Sequence, residues 1–186
     1  MKPQPTPPAP PRRLVLAGYR AAGKSTLGNL LAQRLGWPCL DVDRAIEEAC
    51  GKSLADFYQQ EGDRVFRDLE SQVVARLCAR EHCIVSMGAG SLGRPENQEA
   101  ARRDALVFYL RVSVDELWRR ISTDPRSPQD RPNLRGGGRE EVEHMLAERE
   151  PVYRRCATQE LDGSLPPGQL ADQVEAALRR HGAPKE

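Results

Sequence analysis

The nine residues Gly18-Tyr19-Arg20-Ala21-Ala22-Gly23-Lys24-Ser25-Thr26 decide how this chain is read. They match the pattern G-x-x-x-x-G-K-[ST], a glycine loop whose backbone amides curl around phosphate. Such a match becomes a physical site only between a strand and a helix. Leu14-Val15-Leu16-Ala17 is a short apolar run that reads as a buried parallel strand. Leu27, Leu30, Leu31 and Leu35 then recur at helical spacing, which ends at Gly36 and Pro38. Glycine permits close approach of the loop to an anion, and the helix N-terminus adds its positive dipole. Lys24 is placed to reach the β- and γ-phosphates and the Ser25 hydroxyl to face Mg²⁺. The competing reading is a glycine turn that binds nothing, and the strand-loop-helix context argues against it. A nucleoside triphosphate site is expected.

Outward from the loop, strand and helix signals alternate from Leu14 to about Arg180, which predicts an α/β fold with a parallel sheet. A second strand is expected over Pro38 to Asp41 and a helix over Arg44 to Cys50. Ser53 with Asp56 resembles a capping box opening a helix to Gln60. Gly62 breaks the chain, and a longer helix follows from Asp63 to Arg80, with Phe66, Leu69, Val73 and Leu77 on one face. Cys83 to Met87 reads as a third strand running into Gly88-Ala89-Gly90, Pro95 to Arg103 as a short helix, and Ala105 to Leu110 as a fourth strand. Ser113 and Glu116 form a second capping box. A helix from Arg139 to Arg149 is expected to stop before Pro151. Thr158 to Leu161 supplies a fifth strand. After a Pro166-Pro167-Gly168 turn, Gln169 to Arg180 closes the fold with Leu170, Val174 and Leu178 inward.

Segment 122–138 interrupts this rhythm with three prolines, three consecutive glycines, several arginines and little apolar content. A loop of that length inside a compact domain reads as a lid. Residues 1–11 hold six of the 15 prolines and read as a disordered tail. Residues 12–181 form one domain, and 182–186 fray.

Bulk composition excludes several classes. Net charge is +1, from 28 basic and 27 acidic residues, so there is no basic surplus for nucleic acid. Mean hydropathy of −0.63 and the lack of a long apolar run argue against a membrane span. The five cysteines have neither zinc nor redox spacing and read as reduced thiols of a cytoplasmic protein.

A phosphate loop alone does not separate kinases from GTPases or motors. Asp41 and Asp43 alternate at the end of the second strand, where period two points both beyond the carboxyl ends of the strands, the place where open α/β sheets bind ligands. A helix cap plus one solvated acid is the plainer alternative. In Phe66-Arg67-x-x-Glu70, Arg67 and Glu70 lie one helical turn apart, and a simple surface pair stays open for them. With Gly88-Ala89-Gly90 after the third strand, Arg131-Pro132 in the lid and Arg149 within Glu148 to Arg154, these motifs occur in an order that resembles shikimate kinase. The resemblance runs from Leu14 to about Leu161.

That resemblance implies a P-loop NTPase-type three-layer sandwich, with about five parallel strands, helices on both faces and a mobile lid. It implies transfer of phosphate from ATP, with Mg²⁺, to shikimate by a monomer in the cytoplasm, on the route to aromatic amino acids. Gly18, Ala21, Ala22, Gly23, Lys24, Ser25 and Thr26 would hold the nucleotide phosphates. Ser25, with Asp41 through water, would hold the metal. Asp43 would contact the attacking hydroxyl as base or orienting group, Arg67 and Arg149 the carboxylate, and Gly88, Ala89 and Gly90 the ring. Arg131 would neutralise the transferring group, and Arg120 would lie along the adenine beside the turn at 162–168. For Arg131 a solvated loop arginine is the plainer alternative. Ala89 departs from the family's middle glycine. It costs on the order of 1 kcal/mol if that position needs positive φ, and crowds the ring if it does not. Two other readings stay open: a different small-molecule kinase, such as a gluconate or nucleoside kinase, and a non-catalytic ligand sensor.

Overall fold

Strand β1 (Arg13–Ala17) is buried at every position and occupies the middle of a five-stranded parallel sheet. The computed structural model describes residues 11–124 and 138–182. β2 (Cys39–Asp41), β3 (Cys83–Ser86), β4 (Ala105–Arg111) and β5 (Gln159–Asp162) complete the sheet in the order β2-β3-β1-β4-β5. Leu14 lies between Ile84 and Leu106 in register. Each such side chain, removed from water on both sheet faces, contributes roughly 1.5–3 kcal/mol of hydrophobic stabilisation. That is why the central strands read as unbroken apolar runs.

The helices are α1 (Lys24–Leu35), α2 (Val42–Cys50), α3 (Leu54–Cys78), α4 (Pro95–Arg102), α5 (Val114–Thr123), α6 (Arg139–Cys156) and α7 (Pro167–Arg180). α1 packs with α7, while α3 and α6 each pack with α4. Right-handed crossovers put these two groups on opposite faces of the sheet, which gives the three layers expected. Leu170, Val174 and Leu178 point into the core as expected. α3 bends at Gly62, whose φ of 80° and ψ of 171° are not helical, where the break was expected. Ser53 caps α3 by accepting from Asp56 N, and Ser113 caps α5 by accepting from Glu116 N.

Three expectations are corrected. α2 begins at Val42 rather than Arg44, because Val42 and Ile46, one helical turn apart, are both fully buried. Asp41 therefore ends β2 and caps α2, and Asp43 lies in the first helical turn instead of alternating with Asp41 along a strand. α6 does not stop before Pro151 but runs on to Cys156. An interior proline costs roughly 3 kcal/mol. Pro151 is on the exposed side, however, and continuation buries Tyr153 and Cys156 to 2% and 3% exposure. Finally, Pro166 and Pro167 are the N-cap and first residue of α7 rather than a separate turn.

The connection leaving β1 runs toward β2, past β3, whereas the connection leaving β3 crosses β1 to reach β4. Neighbouring strands whose exits diverge open a crevice at their carboxyl ends, the usual ligand site of such sheets. The phosphate loop follows β1 and the Gly88-Ala89-Gly90 turn follows β3, so these two segments flank it.

Candidate active site

The loop from Gly18 to Gly23 joins β1 to α1. Gly23 is the N-cap of α1 at φ 98°, and Ala21 is held at φ 61°. A non-glycine residue in that region costs on the order of 1 kcal/mol, and such outliers concentrate at functional sites. The first intrahelical bond of α1 runs from Leu27 N–H to Gly23 C=O at 2.9 Å, so the amides of residues 24–26 precede it. α2, α3 and α5 are capped by side chains, whereas α1 has no side-chain cap and no acidic residue in its first turn. An anion suits that end. Lys24 Nζ donates to the carbonyls of Gly18 at 2.8 Å and Tyr19 at 2.9 Å, folding back over the loop. Ser25 and Thr26 are exposed.

Arg120 ties this loop to the turn after β5. It donates to Ala21 C=O at 3.2 Å, to Gly163 C=O at 3.0 Å and to Glu116 Oε1 at 2.7 Å. Hydrogen bonds from Arg119 and then Arg120 hold the Glu116 carboxyl down at about 2. The side chain expected beside the adenine thus stands between the phosphate loop and the 162–168 turn.

Across the crevice, Asp41 Oδ1 accepts from the amides of Asp43 at 3.0 Å and Arg44 at 3.3 Å. The plainer reading of Asp41 is therefore correct as far as it goes, although Asp41 also lines the cleft. A Cβ on Gly88 would collide with Asp43 Oδ1 and lie 2.6 Å from Ser91 Oγ. A Cβ on Gly90 would lie 2.9 Å from Arg67 Nη1. Neither glycine has positive φ, so both are there for space, letting an acid and a guanidinium press on the turn. Ala89 also avoids positive φ; it is 3% exposed, lines the cleft and carries no backbone cost.

Arg67 is more than a surface pair. Its Nη1 donates to Glu70 Oε2 at 2.7 Å and its Nε to Asp63 Oδ1 at 3.4 Å, while Glu70 is only 2% exposed. Arg149 lies on α6 with its guanidinium carbon 5.7 Å from the Tyr19 ring centroid, beside the phosphate loop. One turn further along, the Tyr153 hydroxyl donates to Ala89 C=O, so the same helix touches the turn after β3.

A cleft of about 570 Å³ brings together Ala21, Lys24, Ser25, Asp41, Asp43 and Ala89. Arg67 and Arg149 are not among its lining residues. Arg131 and most of the expected lid lie outside the described residues. Sequence reasoning missed Arg20 and Glu47, which line the cleft, and Tyr19, Ser91 and Tyr153, which support it. Arg20 was legible in principle, since it sits inside the loop at a position the pattern leaves open. Ser91 and Tyr153 act through folding contacts that no spacing announces. Among the described residues no group of three or more His, Cys, Asp or Glu side chains could cage an ion. Mg²⁺ seldom needs one, because it binds through few protein oxygens, water and phosphate. The Ser25 hydroxyl and Asp41 carboxylate fit that demand.

A family model described as shikimate kinase matches residues 20–179. The chain is 37% identical over 171 residues to a protein of Oleidesulfovibrio alaskensis named shikimate kinase, covering 91% of this chain and 99% of that one. Among solved structures it is similar to a shikimate kinase from Acinetobacter baumannii in complex with shikimate. The TM-score is 0.84 at 26% identity, with 93% of this chain and 96% of that chain covered. It is also similar to a shikimate kinase from Bacteroides thetaiotaomicron, with a TM-score of 0.81 at 28% identity and coverage of 90% and 98%.

Proposed function

This chain belongs to the shikimate kinase family, and from that membership we propose that it transfers the γ-phosphoryl group of ATP to the 3-hydroxyl of shikimate, releasing ADP and shikimate 3-phosphate. The observation that carries this reading is the turn after β3. Its two glycines leave room for Asp43 at Gly88 and Arg67 at Gly90, next to a phosphate loop whose lysine faces the same cleft as Asp43.

The roles follow from charge and position. Gly18, Ala21, Ala22, Gly23 and Thr26 present backbone and hydroxyl groups to the phosphates, and Lys24 leaves the loop carbonyls to neutralise them. Arg120 and the 162–168 turn border the base. Asp43 orients the acceptor hydroxyl and takes its proton as the hydroxyl oxygen bonds to the γ-phosphorus and the bond to the β-phosphate oxygen breaks. Arg67 and Arg149 hold the acceptor carboxylate, a task suited to the planar guanidinium fork. Arg131, from the lid segment, adds positive charge at the transferring group. Ser25, and Asp41 through water, would hold Mg²⁺, which would offset phosphate charge. Phosphoryl transfer asks a protein mainly for this positioning and charge. Among the described residues no helix is long and apolar enough to cross a membrane, and the reading places the enzyme in the cytoplasm as a monomer.

The test is ATP turnover with and without shikimate. Strong stimulation by shikimate, with shikimate 3-phosphate as product, is expected. Turnover only with gluconate or a nucleoside, or shikimate binding without turnover, overturns the reading.

A further inference from the structure

We infer that Ser91 is a positioning residue that aims Arg67 at the acceptor carboxylate through Glu70, an inference that rests on the acceptor reading above. Ser91 is fully buried, and its hydroxyl donates to Glu70 Oε1 at 2.8 Å. Glu70 spends its other oxygen on Arg67 Nη1 at 2.7 Å. The buried carboxylate therefore has one partner on each side, and its orientation is set by both. Ser91 is itself held in place. Its amide donates to Gly88 C=O at 3.1 Å, and its carbonyl accepts from Nδ2 of buried Asn97 at 2.7 Å. A rigid turn thus fixes the hydroxyl, the hydroxyl fixes the carboxylate, and the carboxylate fixes the guanidinium that lies against Gly90.

Removal of the Ser91 hydroxyl leaves Glu70 Oε1 without that partner in a site where an unsatisfied polar atom is costly. Glu70 turns or admits water, and Arg67 moves with it. A second acid is ready to draw the guanidinium off line, since the exposed carboxylate of Asp63 already accepts from Arg67 Nε at 3.4 Å. The donor side is untouched, because neither Ser91 nor Glu70 lines the cleft with Lys24. The predicted signature is selective, affecting acceptor binding but neither ATP binding nor the transfer step.

The experiment measures steady-state kinetics of the full chain as wild type, Ser91→Ala, Arg67→Ala and the double variant, with melting curves as a check on folding. Ser91→Ala is expected to raise KM for shikimate about tenfold, the size of one charge-assisted hydrogen bond, with kcat and KM for ATP within about twofold. In the Arg67→Ala background the same change is expected to have no further effect. Ser91→Cys, a weaker donor of similar size, should fall between wild type and alanine, and it carries the test if the alanine variant does not fold. An equal KM rise in both backgrounds, or a change confined to kcat or ATP, overturns the inference and makes Ser91 a general packing residue. Wild-type protein that turns over no shikimate overturns the acceptor reading and this inference with it. An active wild type beside an unaltered Ser91→Ala enzyme overturns the inference alone.

Discussion

The nucleotide side of the cleft, as proposed, centres on one unbroken stretch, Gly18 to Thr26, shaped largely by main-chain groups and braced by Arg120. The acceptor side, as proposed, would draw on α2, α3, α6 and the turn after β3; Asp43 and Ala89 line the cleft, while Arg67 and Arg149 stand outside its lining. A cradle made of backbone has its geometry set by φ and ψ, which local residue choice controls. A clamp made of side chains depends on the space its neighbours leave and on the buried partners that orient it. The consequence is that an uncharged position such as Gly88 matters through the room it leaves for Asp43. Arg149 joins the two, lying on the Tyr19 ring of the donor loop while its helix holds Ala89 through Tyr153.

Substitutions can break this division or sharpen it. The largest effect is expected for Asp43→Asn, which keeps the shape and removes the charge. Turnover should fall ~10²- to 10⁴-fold with ATP affinity kept, measured by kcat and by nucleotide titration. A near-normal kcat would remove Asp43 from the mechanism. Next comes Gly88→Ala, whose methyl would displace Asp43 and Ser91 together. A shift near 1 Å at reacting groups costs about 10²-fold, so kcat/KM for shikimate should drop by that order while ATP binding stays. Equal damage to both substrates would show that the halves are not separate. Arg120→Ala addresses the donor side. Loss of its bonds to Ala21 and Gly163 should raise KM for ATP about fivefold, with KM for shikimate unchanged.

The smallest effect concerns the scaffold under each half. Burial pushes the thiols of Cys39 and Cys78 up to about 11 from an ordinary 9.0. Between those values the unfolded chain loses the thiol proton and the native state keeps it, so stability is full below pH 9 and falls as pH rises toward 11. Cys39 lies under α1 at Gly28, and Cys78 ends α3. Melting curves from pH 8 to 11 should show a decline of a few degrees that Cys39→Ala and Cys78→Ala each reduce in part. A decline unchanged in both variants would assign it to other groups.

Much of this was legible from residues alone. The loop motif, the caps at Ser53 and Ser113, the break at Gly62 and the inward face of α7 are local signals, and each appears where it was read. The strand alternation of Asp41 and Asp43 was misread because burial of Val42 and Ile46 draws the helix start two residues forward, yet both acids line the cleft as expected. Pro151 was misread because propensity within a segment does not weigh what Tyr153 and Cys156 gain further on. The glycines at 88 and 90 were expected only as contacts to the ring, and the space that they leave for Asp43 and Arg67 was not legible in the sequence.

Taken alone, the order of residues determined that this chain makes a parallel α/β sheet with a phosphate cradle after its first strand. Those features depend on hydrophobic period, glycine conformation and helix ends, all properties of neighbours in the chain. Only the tertiary structure decided the strand order that opens the crevice between β1 and β3, the Ser91-Glu70-Arg67 relay, and the staple Arg120 makes from Ala21 to Gly163. Those depend on which buried surfaces pack together and on how each buried polar group finds a partner, and partners distant in the chain meet only when it has folded.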